Sequence, residues 1–316
     1  MNMSKVIEEK IVIGQGGEFP LNGLLTLPDG SDGPAEAAIL VHGSGSTNMD
    51  EKIYANRPFR DLAEGLAARG IAVVRYDKRS FVHGRKLVKI PGFTVYEETI
   101  EDVLLACAML RKDARIDKDK IFIIGHSMGG MLAPRIDAEG GDFAGLIIMA
   151  GTPRLLEDVI FEQIGETIAA QKGLILFLIK KQEVGLRKKL ADTYTMDAEK
   201  AKSVKVMGGT SVWYFKEMGE NSAPKFIART QKPILVLHGD KDAQVRTDLD
   251  FEKYKELLVG RDNAFFKLYP ELNHLFMPAV YGNLKNLKKE YKIPSKVADY
   301  VIDDIAAFIK TGEPGS

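Results

Sequence analysis

The apolar residues of this chain fall into short continuous runs, and longer segments with helical patterns separate those runs. The first two runs, EEKIVIG and LNGLLTLP, predict an opening antiparallel pair of strands. The later runs are apolar almost throughout, which is typical of parallel strands that are covered on both faces of a sheet. They are AAILVHG (37–43), IAVVRYD (71–77), KIFIIGH (120–126), FAGLIIMAG (143–151), PILVLHG (233–239) and NAFFKLYP (263–270).

Helical patterns lie between these strands. RPFRDLAEGLAARG (57–70) ends in glycine, a common stop for a helix. YEETIEDVLLACAMLRKD (96–113) has an acidic start and a basic end, which matches the helix dipole. SKVADYVIDDIAAFIK (295–310) predicts a closing helix. Strands that alternate with helices in this way predict the α/β class, with a mostly parallel, twisted sheet and helices on both of its faces.

Residues 152–231 interrupt the alternation and contain no convincing strand pattern. They read LLEDVIFEQIGETIAAQKGLILFLIKK, then VGLRKKLADTYTMDAEKAK, then TSVWYFKEMG. Roughly eighty helical residues between two strands are far more than an ordinary connection needs. We therefore predict an inserted helical cap at 152–231, carried by a core formed from residues 1–151 and 232–316.

Composition and charge exclude several classes of function. The chain has 44 basic and 44 acidic residues among 316, and it has no basic block, so a nucleic-acid partner is not expected. The N-terminus has no apolar run of signal-peptide length, and GLILFLIKK is too short to span a bilayer. These observations predict a soluble, cytoplasmic protein with no membrane span. Cys107, the one cysteine, lies in a helical pattern and is expected to be a buried core residue.

The stretch IFIIGHSMGGMLAP contains a Gly-x-Ser-x-Gly motif at residues 125–129. An apolar strand precedes it and a helix-compatible run follows, which is the setting of a nucleophile elbow. Ser127 is therefore the predicted nucleophile, on a tight turn that projects its hydroxyl above the sheet. Gly125 and Gly129 are needed because a β-carbon there would collide with neighbouring backbone. The alternative is an ordinary strand-to-helix turn that happens to contain serine.

A serine hydroxyl is a weak nucleophile and requires a base, and on this kind of elbow the chain order is serine, acid, histidine. Of the five histidines, His274 in YPELNHLFM is the one that follows the last strand, so it is the predicted base. The loop HGDKDAQV offers Asp240 and Asp242, and both cannot orient the same imidazole. We predict Asp242 as the acid and Asp240 as a turn residue, with the reverse assignment left open.

The strand ending VHGSGS leads into a glycine-rich turn whose backbone N–H groups can face a substrate carbonyl. The predicted oxyanion hole uses the N–H groups of Met128 and Ser44. Charged residues lie near the same edge of the sheet, and they either form ion pairs that hold the loops or are solvated. They are Asp50, Glu51, Asp77, Lys78 and Arg79. The sequence has no cluster of metal ligands, no Rossmann motif and no P-loop, so no cofactor is expected.

Taken together, VHGSG, DEKIYANRPFRDLAEGLAARGIAVVRYDKR, IFIIGHSMGG, LHGDKDAQV and LNHLF resemble the α/β-hydrolase superfamily. Within it the chain is similar to bacterial carboxylesterases related to dienelactone hydrolases, cinnamoyl esterases and prolyl-oligopeptidase-type acyl peptidases. The resemblance covers nearly the whole chain except the cap, and it implies an α/β-hydrolase fold. In such enzymes the acid matches Asp242, the base matches His274, and the HGSG motif matches residues 42–45. The chain departs from the pattern at Ser80, where relatives often carry glycine or threonine.

The sequence therefore predicts a serine carboxylesterase-type hydrolase. It would cleave small-molecule carboxylic esters of small to medium acyl chain through Ser127, Asp242 and His274, with an acyl-enzyme intermediate. A peptidase, thioesterase or acyltransferase with the same triad is the alternative. A non-catalytic binding protein on this fold is a further one, although such proteins commonly lack a triad member. The opening strand pair and the cap are both surfaces through which a homodimer could form.

Overall fold

One sheet of eight strands forms the centre of the molecule. The structure, a computed structural model, describes residues 6–30, 33–206 and 208–315. The strands are β1 (Val6–Ile13), β2 (Leu21–Pro28), β3 (Ala35–Val41), β4 (Ala72–Tyr76), β5 (Ile116–His126), β6 (Leu146–Met149), β7 (Ile234–Gly239) and β8 (Ala264–Tyr269). Their order across the sheet is β1-β2-β4-β3-β5-β6-β7-β8. The pairs β1/β2 and β2/β4 are antiparallel and the pairs from β4 to β8 are parallel, which confirms the predicted sheet.

Helices connect these strands. They are α1 (Pro58–Ala67), α2 (Arg79–Leu87), α3 (Glu101–Leu110), α4 (Met128–Ile136), α5 (Leu156–Ala170), α6 (Gly173–Leu190), α7 (Ala198–Ser203), α8 (Val212–Glu220), α9 (Ala223–Ile227), α10 (Glu252–Leu257), α11 (Leu287–Glu290) and α12 (Asp299–Thr311). A π-helical turn at Tyr96–Ile100 leads into α3. The final helix ends where Gly312 adopts a left-handed conformation with φ of 84°, a common helix stop.

The core consists of two apolar layers, one on each face of the sheet. In one layer Phe59 of α1 and Ile305 of α12 pack with strand residues such as Leu40. In the other, Val103 of α3 and Leu132 of α4 pack with the opposite faces of the same strands. The central strands are buried on both faces, which explains why their sequences are apolar at successive positions rather than at alternate ones.

The connection between β6 and β7 is helical, as the absence of a strand pattern indicated. Among the described residues, five helices, α5 to α9, lie in this connection, which we call the inserted segment. Its inward face joins one layer of the core: Leu190, Val212 and Phe215 are buried against it. The division of the chain into a core and a separate cap stays a prediction, because the segment shares its apolar contacts with the helices of the sheet.

Two elements differ from their predicted form. The run FAGLIIMAG yields a strand over only four residues, because Ala150 leaves it with a left-handed φ of 47°. Helix α2 was not predicted, since RSFVHGRKL has no apolar periodicity, and most of its residues are exposed or half-buried. Cys107 is buried, which confirms its predicted core position. None of the described helices is long and apolar enough to cross a membrane.

The aromatic contact between α12 and the sheet gives a test of the fold. The ring of Phe308 is fully buried, with centroids 6.2 Å from Phe122 and 6.0 Å from Phe265. We expect Phe308→Ala to lower the free energy of unfolding by about 3–5 kcal/mol, because it removes these contacts and leaves a cavity. Urea denaturation measures the change. Val259→Ala is the control: this side chain is 82% exposed, and its loss should change stability by less than about 0.5 kcal/mol. A Phe308 variant as stable as the control would contradict the packing.

Candidate active site

Ser127 lies on the turn between β5 and α4. Its backbone has φ of 54° and ψ of −117°, a left-handed conformation that is strained for any residue with a side chain. Its N–H donates to the carbonyl of Met149 at 2.8 Å, which fixes the turn against the neighbouring strand. Helix α4 begins at the next residue, so its N-terminal dipole is directed at the serine. This is the geometry of a nucleophile elbow.

The two motif glycines permit a close approach of three backbone segments. A β-carbon added to Gly125 would lie 2.3 Å from the carbonyl oxygen of Gly129. One added to Gly129 would lie 2.2 Å from the carbonyl oxygen of Val41 in β3. Backbone atoms cannot move aside as a flexible side chain can, so any larger residue would separate α4 from β5 or β3. The spacing of the motif is therefore a requirement of packing around Ser127.

Asp242 and His274 are in direct contact. Asp242 Oδ2 lies 2.6 Å from His274 Nδ1, and Asp242 Oδ1 accepts the N–H groups of Gln244 and Val245. Burial raises the pKa of Asp242, but the charge of His274 and these hydrogen bonds outweigh it and hold that pKa below its usual range. Asp242 is therefore an ionised acceptor that fixes the His274 ring, which leaves Nε2 as the nitrogen available to exchange a proton.

Asp240 has a different role in the structure. Its Oδ1 accepts the N–H of Glu271 at 2.7 Å, and Lys241 lies 3.8 Å from its Oδ2. Asp240 therefore ties the turn after β7 to the turn after β8, while Asp242 contacts the imidazole. Of the two residues that the sequence left open, the structure brings Asp242 to His274.

Ser127 and His274 line the same end of the sheet but do not form a hydrogen bond. Ser127 is half-buried, His274 is buried, and within the described part of the chain Ser127 Oγ makes no hydrogen bond. Such contacts are often long in sites without substrate and shorten when substrate binds. The predicted oxyanion-hole residues Ser44 and Met128 line one cavity together with Ser127.

That cavity has a volume of about 660 Å³. Most of its wall is apolar and comes from helices rather than from the sheet. The apolar lining residues are Leu87, Val88, Phe93, Met128, Met131, Leu156, Val159, Ile160, Phe215 and Val245. Leu87 and Val88 belong to the end of α2, and Leu156, Val159 and Ile160 to α5 of the inserted segment. The size falls within the usual range for small-molecule sites.

A buried charge pair lies at the cavity wall, to which Glu98 and Tyr214 contribute. Lys78 Nζ lies 3.0 Å from Glu98 Oε1, and the hydroxyl of Tyr214 donates to Glu98 Oε2 at 2.6 Å. Burial raises the pKa of Glu98, but the charge of Lys78 and the Tyr214 hydrogen bond outweigh it, so that pKa is lowered. Sequence reasoning missed Glu98 and Tyr214, because no local motif marks them.

Most of the charged loop residues form ion pairs rather than a solvated cluster. Lys78 pairs with Glu98, and Arg79 pairs with Asp102 on α3. Asp77 accepts the N–H of Met49 at 2.8 Å. Asp50 pairs with Arg75 and Arg57. Within the described residues, no group of three or more His, Cys, Asp or Glu side chains could hold a metal ion.

Comparisons with known proteins give the family and the fold. The family described as serine aminopeptidase, S33, matches residues 34–278. The esterase EstD of Thermotoga maritima is 35% identical over 307 residues, which cover 96% of this chain and 67% of EstD. Est1E from Butyrivibrio proteoclasticus superposes with a TM-score of 0.56 at 18% identity, over 90% of this chain and 96% of that one. An acylaminoacyl peptidase from Pyrococcus horikoshii has a TM-score of 0.59 at 14% identity, over 99% and 43%. The last two likenesses concern the fold alone.

His42, at the end of β3 beside the predicted oxyanion loop, gives a test that depends on pH. Its Nε2–H donates to Tyr76 O at 2.7 Å and its Nδ1 accepts from Thr47, contacts that satisfy a neutral ring. Burial lowers its pKa from 6.5 to about 4. Between these two values the unfolded chain binds a proton that the folded chain does not. The stability that His42 contributes is therefore complete above pH 6.5 and is lost as the pH falls toward 4.

At about 1.4 kcal/mol per pKa unit, His42 accounts for a loss of about 3 kcal/mol across this window. We expect the free energy of unfolding of the wild type to fall by that much more than that of His42→Gln, in which glutamine can still donate to Tyr76. Urea denaturation of both proteins at a series of pH values from neutral to acid measures the difference. Parallel pH profiles for the two proteins would show that His42 does not titrate in this way.

Proposed function

Because the chain belongs to the serine aminopeptidase, S33, family of α/β-hydrolases, we propose that it is a serine carboxylesterase. Its nucleophile is Ser127, its base is His274 and its acid is Asp242. The observation that carries the proposal is the 2.6 Å contact between His274 Nδ1 and Asp242 Oδ2, beside a serine whose backbone is strained at a nucleophile elbow. Strain at an elbow and a buried acid–imidazole pair are together typical of acyl transfer.

The reaction proceeds in two half-reactions. Ser127 Oγ attacks the carbonyl carbon of the ester while its proton moves to His274 Nε2. The carbonyl π bond becomes an oxyanion, which the N–H groups of Ser44 and Met128 stabilise. When the carbonyl reforms, the bond to the alcohol breaks and His274 returns the proton to that alcohol. Water then attacks the acyl-enzyme by the same route, releases the acid and restores Ser127.

Asp242 acts through charge and orientation. It keeps the Nδ1–H of His274 pointed toward itself, so that Nε2 is the nitrogen that takes the proton from Ser127. The lowered pKa of Asp242 means that its carboxylate is ionised when the imidazolium forms, and it stabilises that cation. It does not take the proton itself.

The cavity supports a substrate with an apolar acyl group of small to medium size. Its volume of about 660 Å³ exceeds what an acetyl group fills, and its wall is mainly aliphatic and aromatic. Burial of each methylene in such a pocket is worth about 0.8 kcal/mol. Esters with a medium acyl chain should therefore bind better than acetates, until the chain outgrows the space between α2 and α5.

A peptidase with the same triad is the second candidate, since the matching family is described as serine aminopeptidase. An aminopeptidase must bind a substrate ammonium group, which calls for a free carboxylate in the pocket. Among the described residues, Glu98 is the one carboxylate that lines the cavity, and Lys78 already neutralises it. Arg85 also lines the cavity and adds positive charge. The electrostatics of the pocket thus favour a neutral ester over a peptide with a free amino terminus.

Replacing the nucleophile tests the proposal. We expect Ser127→Ala to lower kcat on p-nitrophenyl esters by at least about 10³-fold, because no other group can form the acyl-enzyme. The series from acetate to palmitate, followed by release of p-nitrophenol, measures the effect. Ser203→Ala, which removes an exposed hydroxyl at the end of α7, is the control and should retain the wild-type rate. Hydrolysis by the Ser127 variant at the wild-type rate would exclude the mechanism.

Filling the cavity tests the assignment of the acyl pocket. Val159 on α5 lines the cavity and is 6% exposed. We expect Val159→Trp to lower kcat/KM for octanoate esters by roughly 10-fold or more relative to acetate, because the indole occupies space that the acyl chain needs. Val184→Trp on α6, where the side chain is 66% exposed, should leave the chain-length profile unchanged. A Val159 variant with the wild-type profile would place the acyl chain elsewhere.

A further inference from the structure

Glu51 and His126 form a buried ion pair that the proposed reaction does not use. Glu51 is 3% exposed and His126 is 5% exposed. Glu51 Oε2 lies 2.9 Å from His126 Nδ1, in an ion pair whose geometry falls short of a linear hydrogen bond. Buried charges are expensive to desolvate, and replacing such a pair by apolar residues often stabilises a protein. A pair of this kind beside an active site therefore requires an explanation other than stability.

The acid end of the pair holds the loop after β3. Glu51 Oε1 accepts the N–H of Gly43 at 2.8 Å, and Gly43 directly precedes Ser44, the proposed oxyanion donor. The carbonyl of Gly43 accepts Lys78 Nζ at 2.9 Å. The peptide groups on both sides of Gly43 are thus fixed by buried charges. A β-carbon added to Gly43 would lie 3.1 Å from Ser127 Cβ, so this part of the loop packs directly on the nucleophile.

The imidazole end of the pair holds the loop after β8. His126 Nε2–H donates to the backbone carbonyl of His274 at 2.9 Å, and the two rings lie 4.7 Å apart at 50°. Both ring nitrogens of His126 therefore face oxygen atoms, which suits the doubly protonated ring. Burial lowers the pKa of His126, but the charge and hydrogen-bonding capacity of Glu51 outweigh it, so that pKa is raised. His126 also directly precedes Ser127 in the chain.

The backbone of Glu51 supports a specific role for its side chain. Its φ of 48° is left-handed, a conformation that glycine adopts more easily than glutamate. Its N–H donates to Asn48 O at 2.8 Å in the turn that carries it. The chain keeps glutamate at this position although its backbone is strained. We infer that the turn serves to place the carboxylate against Gly43 and His126. Neither Glu51 nor His126 lines the cavity in the described part of the chain.

We propose that Glu51 and His126 are positioning residues that set the oxyanion loop and the His274 loop relative to Ser127. One connected path runs from Gly43 through Glu51 and His126 to the backbone of His274, and Ser127 lies beside it. The path joins the ends of β3, β5 and β8, which are not all neighbours in the sheet. This inference rests on the proposed esterase function. It adds that the relative placement of the three loops depends on one buried link.

Substitutions of Glu51 can separate the contacts that the link makes from its charge. In Glu51→Gln the amide oxygen can still accept from Gly43, while the amide N–H can donate to Nδ1 of a neutral His126. His126 Nε2–H can then still donate to His274 O, so the link survives without its charges. Glu51→Met has a similar size but makes none of these bonds. His126→Phe breaks the same link from its other end and keeps the ring.

Steady-state kinetics on a p-nitrophenyl ester, with every variant first checked by its thermal unfolding curve, test the proposal. We expect Glu51→Met and His126→Phe each to lower kcat by roughly 10- to 100-fold with little change in KM, because the misplaced groups act on the transition state. Glu51→Gln should stay within about 5-fold of wild type, since its bonds are restored. Asp137→Asn is the control. This half-buried acid accepts the N–H of Phe143 just before β6 begins, at the amino ends of the parallel strands and therefore opposite the site. Its replacement should leave kcat unchanged.

Two further readouts distinguish a shared link from general loss of structure. The double variant Glu51→Met/His126→Phe should be no slower than the slower single variant, because residues that act as one unit are not additive. In ¹⁵N spectra of histidine-labelled protein recorded over a pH series, His126 should keep both nitrogens protonated to a higher pH in wild type than in Glu51→Gln. If Glu51→Met does not fold, the Gln variant and the spectra still test the link.

Several results would overturn the proposal. These are a folded Glu51→Met variant with wild-type kcat, a Gln variant as slow as the Met variant, or single effects that multiply in the double variant. The failure of the esterase proposal has a different signature. If wild type does not hydrolyse the ester, or if Ser127→Ala is equally active, the function is wrong whatever Glu51 does. An active wild type that depends on Ser127 but not on Glu51 would refute this inference alone.

Discussion

Three backbone segments meet at the elbow with almost no space between them, and the rest of the site depends on that approach. The carbonyl of Val41 in β3 lies where a side chain on Gly129 would be, and the carbonyl of Gly129 lies where one on Gly125 would be. This contact brings the loop after β3 against Ser127 and directs the N-terminus of α4 at it. The proposed oxyanion donors and the proposed nucleophile are therefore held by the same close contact, which is what electrostatic preorganisation requires.

Pairs of buried charges lie around the elbow that carries Ser127. Glu51 lies beside His126, and Glu98 lies beside Lys78, so each carboxylate has a cation within 3.0 Å. Asp242 differs, because in the proposed mechanism its partner His274 takes and returns the proton of Ser127. Glu51 and Glu98 each have a cation beside them, and Asp242 is the carboxylate in direct contact with the imidazolium of that mechanism. Its charge can therefore stabilise that cation.

The sequence predicts what depends on local order along the chain. The sheet, the elbow and the contact of His274 with Asp242 follow from strand patterns, motif spacing and the order of residues after β5, β7 and β8. Glu51 and Lys78 were named as candidates for ion pairs, but their pairing with His126 and Glu98 was not predicted. The partners lie 75 and 20 positions away, with no periodic signal linking them. Helix α2 was not predicted because ion pairs and tertiary contacts, rather than an apolar face, hold RSFVHGRKL in place. The pairing of buried charges arises only in the folded chain. The sequence shows the charged residues but not which of them pair.

The chemistry and the selectivity reside in different parts of the molecule. In the proposed reaction, proton transfer and oxyanion stabilisation depend on loops at the ends of buried strands, whose positions the sheet fixes. Much of the cavity wall comes instead from α2, α5 and α8, which lie on the surface or in the inserted segment. Tyr214 links the two parts, because its hydroxyl on α8 bonds to Glu98, which pairs with Lys78 at the oxyanion loop. In the proposed mechanism, changes in the inserted segment can therefore alter which acyl group fits while the reacting atoms stay in place, provided that the contact of Tyr214 with Glu98 is kept.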